Sequence, residues 1–398
     1  MESIKTGIGR SNNADSQKAG QEACQQAIDQ MGGKPDLIMV FSSVALDQEK
    51  MLQGVNLVAS GAMVVGCSDS GEITTHGSVR GHVVVMAITS DQIKFTVGLG
   101  RNVKNDSFKA GQKAAEEVIK NAPEKISLFI SLLEGLTGNG AAIVRGFKAA
   151  LGEHFPIIGG SAGDDFAFKK TFVYYKDQVL NDTVIGIGLS GNFSWGVGVK
   201  HGWEPIGLPM KVTKSEGGVI KELDNKPALS IYQDYFGKRA EELIKEPIAK
   251  MAYTYPLGMT VKGSQELLIV DVVIANKKGE ITCAAEVPEG SEVRLMLGDP
   301  EKAIQAAKEA AENALTQLNG AMPKAIFIFD CMARHKLLGA QINEEIQVVQ
   351  SILGKETPLI GFYTYGEQAP LGGNIDSNIC NSSFHNETMC LLVLGEKY

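Results

Sequence analysis

Arg334 stands five residues beyond the apolar stretch Ala325–Phe329, and Glu367 closes a glycine-bounded turn that follows Leu359–Gly361. If both stretches are strands of an α/β sheet, both side chains fall beyond strand carboxyl ends, where such sheets usually hold ligands. A guanidinium grips a carboxylate through two parallel hydrogen bonds and a carboxylate holds an ammonium, so this pair suits a zwitterion. Cys331, Tyr363, Tyr365, His385, Asn386 and Thr388 are placed to line the same cleft. The competing expectation is that Arg334 and Glu367 pair with each other, or with backbone carbonyls, and brace the fold. Arg334 and His385 have no counterpart elsewhere in the chain, which favours a binding role for these two.

Other patterns are weaker. The loop Gly135-Leu-Thr-Gly138-Asn-Gly140 offers backbone amides to an anion, but Gly146 is followed by Phe147 where a P-loop needs lysine, so a tight turn is the simpler expectation. Gly186-Ile-Gly188-Leu-Ser-Gly191 fits a dinucleotide fingerprint, yet a strand-like Trp195–Val199 follows it, with no helix to receive a pyrophosphate. Gly159-Gly-Ser161-Ala-Gly163 fits a nucleophile elbow, but it too runs into a strand. A hydrolase using Ser161 with His201 or His385, or a thiol enzyme using Cys331, is therefore disfavoured. The six histidines show no metal-binding spacing beyond Cys331 with His335, four apart, and His385 between Cys380 and Cys390.

The elements that must position these residues form an internal repeat. Three alanine-rich amphipathic helices, Asp15–Met31, Ser107–Asn121 and Pro300–Leu318, each pass through a proline-bearing loop into an apolar strand: Leu37–Phe41, Ile126–Ser131 and Ala325–Phe329. A second helix follows, and then a strand ending in glycine: Met63–Gly66, Ile157–Gly159 and Leu359–Gly361. Beyond that glycine the copies read Gly66-Cys-Ser-Asp-Ser-Gly71-Glu72, Gly159-Gly-Ser-Ala-Gly163-Asp164 and Gly361-Phe-Tyr-Thr-Tyr-Gly366-Glu367. A repeated acid after glycine suggests turn capping by Glu72 and Asp164. Closing strands His82–Ile88, Thr183–Leu189 and Thr388–Leu394 complete the units, while Gly196–Asp299 repeats nothing. The expectation is an α/β fold of repeated helix–strand–helix–strand units forming mixed β-sheets flanked by helices, in two halves, 1–225 and 226–398, divided at the turn Asp224-Asn225-Lys226-Pro227.

Composition agrees with a folded α/β chain. Of 398 residues, 44% are apolar and 21% charged, and 45 glycines without a collagen period belong in turns and close backbone approaches. A net charge of −8 argues against nucleic acid or an anionic membrane surface as partner. The polar start, with no apolar run long enough to span a bilayer, predicts neither signal peptide nor membrane helix. Even the run Leu267–Ala275 is split by Asp271. Six scattered cysteines without a C-x-x-C pair suggest reduced thiols and a cytoplasmic setting.

Gly66-Cys-Ser-Asp-Ser-Gly-Glu-Ile73, Tyr255-Pro-Leu-Gly258, Cys331-Met-Ala-Arg334, Gly366-Glu-Gln-Ala-Pro370 and Phe384-His-Asn-Glu-Thr388 together resemble the landmarks of the FIST family, in the family's order and over nearly the whole chain. The resemblance implies a sensory module for bacterial signal transduction, binding a small polar ligand such as an amino acid, without catalysis. With no segment left for an output domain, it implies a free-standing sensor that signals to a separate partner such as a histidine kinase. Some members are haem-binding nitric-oxide sensors. Haem needs only one axial side chain, for which His385 is the first candidate and His335 the second; a histidine bonded within its own loop is the alternative. No other cofactor and no metal is expected.

Overall fold

The computed structural model describes residues 4–397; Met1–Ser3 of the polar start and Tyr398 lie outside the described residues. Each repeat opens with an edge strand. In the first, Ile4–Ser11 leads to the helix Ser16–Met31, the strand Leu37–Ser43, the helix Gln48–Val58, the strand Met63–Asp69, a hairpin of Glu72–Thr74 with Gly77–Val79, and the closing strand Val83–Ser90. The second repeat runs in the same order from Ile93–Arg101 to Thr183–Gly191, and the third from Ser194–Lys200 to Met389–Glu396. In each sheet the two central strands are parallel, and the closing strand lies antiparallel between the edge strand and the first central one.

Each sheet has six strands, and its last two come from a different repeat. The hairpin of the first repeat, Glu72–Val79, completes the sheet of the third by pairing with Leu359–Thr364. The pair Val173–Tyr175 and Gln178–Leu180 from the second repeat completes the sheet of the first. Glu367–Pro370 and Ser382–His385 from the third complete the sheet of the second. The glycine turns that launch these excursions are cross-linked through their backbones: Ser70 N donates to Tyr363 O at 3.0 Å, Ser161 N to Gly366 O at 2.8 Å and Gly163 N to Ser68 O at 3.0 Å. The inner sheet faces share one apolar core, in which the rings of Phe41 and Phe362, from different repeats, stand 4.5 Å apart.

Local chemistry explains why the copies fold alike. Asp15, Asp106 and Asp299 each cap a repeat's first helix by accepting backbone N–H bonds of its first turn. Those helices are alanine-rich because edge-strand glycines press against them. A Cβ at Gly9, Gly100 or Gly198 would stand 1.9 Å from the carbonyl oxygen of Ala23, Ala110 or Ala310, respectively. Gly7, Gly98 and Gly196 make the same approach one helical turn further on, to Ala27, Ala114 and Ala314.

Between Lys200 and Pro300 the third repeat carries an insertion. Its strands form a nine-stranded sheet with short helices Ser230–Phe236 and Lys250–Thr254, around a separate core that includes Val212, Tyr232, Leu257 and Leu295. The non-repeating segment is thus shorter than expected, since Ser194–Lys200 is an edge strand of the repeat. Asp224 and Asn225, both with left-handed φ of 47° and 61°, make a tight turn inside this sheet, joining Val219–Leu223 to Lys226–Pro227. The helix that follows starts at Ser230. Gly186 and Gly188 lie within the strand Thr183–Gly191, where a Cβ at Gly186 would meet the Phe129 ring at 2.2 Å. Among the described residues no helix is long and apolar enough to cross a membrane, and no three His, Cys, Asp or Glu side chains gather as a metal site.

Candidate functional site

A cleft of ≈ 240 Å³ opens at the carboxyl ends of the central strands of the second and third repeats. One wall is the second repeat: Glu134, the glycine loop up to Gly140 at the start of the helix Gly140–Leu151, Ser161 and Phe168. The opposite wall joins the insertion, through Ile248, Asp271, Val273 and Ala284, to Cys331, Met332, Tyr365, Phe384 and Asn386 of the third repeat. Liquid water takes about 30 Å³ per molecule, so the space matches a compact molecule displacing about eight waters. A larger open groove of ≈ 930 Å³, lined by Ile119, Phe155 and Trp195 among others, lies at the amino end of the strand Ile126–Leu133 and gathers none of the residues singled out from sequence.

Of those residues, Cys331, Tyr365 and Asn386 reach the cleft. The Tyr365 hydroxyl donates to the Asp164 carboxylate, and its ring stacks on Phe168 with centroids 4.9 Å apart. Asn386 Oδ1 accepts the Asp271 backbone N–H at 3.2 Å, joining the third repeat to the insertion. Burial pushes the Cys331 thiol upward, opposite to what a nucleophile needs.

The other five lie behind the cleft wall. Arg334 has no exposed side-chain surface; it pairs with Glu345, its Nε is 2.9 Å from Asp330 Oδ1, and it donates to the carbonyls of His201 and Ala303. It therefore braces the repeat against the insertion and does not meet Glu367. Glu367 is buried, accepting from the Thr364 hydroxyl and, at 3.2 Å, from Thr388 N. Glu72 does the same in the first repeat, accepting from His82 N at 2.9 Å and Ser43 N at 3.1 Å, so Glu367 shares the turn-tying role that the repeat suggested for Glu72. Asp164 ties its own loop, accepting from the backbones of Phe168, Lys169 and Lys170. Tyr363 is fully buried, and the Thr388 hydroxyl donates to Asn386 O.

His385 is buried with Nε2 2.9 Å from Ala369 O, and burial pushes it down to about 4. His335 lies between the rings of Phe166 and Tyr363 and is also pushed down to about 4, first by burial and then by Arg80 and Lys336. Neither imidazole opens into a space of macrocycle size, so the residues present do not fit an axial haem site. Ser161 Oγ accepts from Gln368 Nε2 at 3.2 Å, while the other proposed base, His201, accepts from Trp203 N through Nδ1. Three amides of the glycine loop are engaged: Gly135 N donates to Thr171 Oγ1, Leu136 N to Glu134 Oε1 and Asn139 N to Ser107 Oγ.

A FIST N domain model matches residues 36–226, and a FIST C domain model matches 228–370. The chain belongs to the FIST family. FIST domains are associated with signal-transduction sensing. Relatives include an uncharacterised protein of Methanocaldococcus jannaschii, 26% identical over 84% of this chain and 70% of its own, and one of Mycobacterium tuberculosis, 24% identical over 93% of this chain and 96% of its own. Among solved structures, the cyanuric acid hydrolase from A. caulinodans aligns over 99% of both chains at 9% identity with a TM-score of 0.34. PurLQS from Thermotoga maritima aligns over 99% of this chain and 72% of its own with a TM-score of 0.22.

Four cleft residues of this FIST chain escaped sequence reasoning. Glu134 adjoins the glycine loop, and Phe384 lies in a motif already noted. Asp271 is the lone acid within an apolar run, which is itself a signal, since burying a carboxyl among strands is costly. Phe168 carried no signal.

Proposed function

We propose that this FIST protein is a sensor that binds a small polar ligand in the cleft between the second repeat, the third repeat and the insertion, performs no chemistry on it, and signals to a separate output protein. One observation carries the reading. The cleft combines the aromatic faces of Phe168, Tyr365 and Phe384 with a few polar side chains, among them Glu134, Asp271 and Asn386, the usual make-up of a small-molecule site. The raised Cys331 thiol and the pairing of Ser161 with an amide, not a base, support binding over catalysis. Six free, buried cysteines support a reducing, cytoplasmic setting. An amino acid is the ligand class the family resemblance implies, and a histidine kinase is the corresponding partner.

The route for a signal follows from the walls. Because hairpin exchange locks the repeats together, the movable contact is the seat of the insertion. It is held by polar links such as Asn139 and Arg145 to Glu286, at 2.6 and 2.7 Å, and Asp271 N to Asn386. A ligand bridging both walls favours the seated arrangement and changes the surface offered to the partner. Thermal-shift screening against amino acids and other small polar metabolites tests this, since a ligand at a hundred times its Kd contributes about 2.7 kcal/mol. Stabilisation that disappears when Ala284→Phe blocks the cleft mouth supports the reading; no stabilisation by any compound overturns it.

A further inference from the structure

Behind the cleft wall the insertion meets the third repeat through two carboxyl groups. Asp271 sits between the insertion strands Leu267–Val270 and Val272–Ala275, and Glu387 in the turn between Ser382–His385 and Met389–Glu396. Glu387 is fully buried, Asp271 is only 5% exposed, and a hydrogen bond joins the two carboxyls. Ionised carboxylates only accept, so that bond exists only while the pair keeps a proton. Among the described residues no donor reaches Asp271 Oδ1 or either oxygen of Glu387, so no other group takes over when the proton leaves.

The surroundings favour keeping it. From the helix Met332–Leu338, Lys336 acts on Asp271 and Arg334 on Glu387, both towards ionisation. Each cation is also engaged elsewhere, Lys336 by Glu246 and Arg334 by Glu345 and Asp330. Glu367 opposes ionisation of Glu387 from the strand Glu367–Pro370. Tyr232, Cys283 and Cys331 complete the surroundings and are pushed up by burial, so they carry no charge near neutral pH. Burial prevails over the cations, raising Asp271 to about 7 from an ordinary 3.8 and, with Asp271 beside it, Glu387 well above 4.5.

We propose that Asp271 and Glu387 form a proton-dependent latch, in which a shared proton holds the insertion on the third repeat and its loss to solvent at alkaline pH frees the insertion. The proposal rests on the insertion's seat being the movable contact of the sensor, and it adds a regulation of that seat. A ligand that favours the seated arrangement then binds more tightly as pH falls.

Amide hydrogen exchange read by mass spectrometry, with intrinsic rates divided out, tests the latch. Peptides covering Leu267–Val270 and Ile281–Cys283 report the insertion, and those covering Ile126–Leu133 the repeat core. Seated Glu387 keeps a proton that the opened state releases, so protection of the insertion peptides should fall about tenfold from pH 7.5 to pH 8.5. Glu387→Gln supplies Asp271 with a permanent donor and should flatten this profile, whereas Glu367→Gln should retain it. Circular dichroism checks folding; if Glu387→Gln does not fold, the double variant Asp271→Asn/Glu387→Gln, which pairs two amides, takes its place with the same flat profile expected. Insertion peptides that open before the repeat core but change less than twofold over that range, or a slope that survives Glu387→Gln or vanishes in Glu367→Gln, overturn the latch and leave the movable seat in place. Insertion peptides protected as strongly as Ile126–Leu133 at every pH overturn both.

Discussion

Arg334 and Glu345 form an ion pair from which water is excluded on both sides. Removing Arg334 strands the acid charge in the interior, a loss of about 3–5 kcal/mol. Arg334→Ala should lower stability by about that amount in urea unfolding, and Glu345→Ala by less, because Asp330, 2.9 Å from Arg334 Nε, keeps the guanidinium paired. Arg334→Lys should recover little of it, because one ammonium cannot also reach the His201 and Ala303 carbonyls. A ligand-gripping arginine would instead tolerate alanine with stability unchanged.

Stability should decline between about pH 4.5 and about pH 8 through Glu367. Burial pushes its carboxyl up to about 8 from an ordinary 4.5, against the opposing effect of the Thr364 and Thr388 hydrogen bonds. The folded state therefore keeps a proton that the unfolded state gives up. Its stabilising contribution is full below pH 4.5 and is lost as pH rises to about 8, by up to about 1.4 kcal/mol per pH unit. Glu367→Gln removes this slope, so the difference in unfolding free energy between variant and parent should shift in favour of the variant from pH 5 to pH 8.5. A constant difference across that range would refute the assignment.

The halves matched by the two family models should not fold apart. Residues 1–226 lack the strands Glu367–Pro370 and Ser382–His385 of the second sheet, and their own hairpin Glu72–Val79 has its partner, Leu359–Thr364, in the other half. Expressed alone, 1–226 should be insoluble or lack a cooperative thermal transition, and co-expression with 227–398 should restore a soluble complex. A well-folded isolated half, seen by dispersed amide NMR signals, would contradict the exchanged topology.

Much of the repeat was legible because its signals are local. The helix Ser107–Asn121 has the expected bounds, and apolar runs located the central strands. The reading stopped short where those strands continue through buried polar residues, as at Ser42, Ser43 and Asp69, whose burial depends on the other repeats. Two edge strands were overlooked, and the strand-like Trp195–Val199 was not assigned to the repeat, because alternating glycines weaken a strand pattern, although Gly7/Gly9, Gly98/Gly100 and Gly196/Gly198 repeat as faithfully as the helices. Arg334 misled for a similar reason. A charged residue just past a strand reads as exposed, whereas here it lies in the helix Met332–Leu338 and pairs with Glu345 on another helix. Hairpin exchange joins residues hundreds of positions apart and leaves no mark in local spacing.

That exchange makes the three repeats a closed circuit of loans, each unit lending two strands to one neighbour and borrowing two from the other. Such a circuit tolerates neither the loss of a member nor the addition of a fourth, so the copy number is fixed by topology. What it admits is growth on the outside. The junction between an edge strand and its first helix takes part in no loan, and there the third repeat carries the insertion that supplies one wall of the cleft.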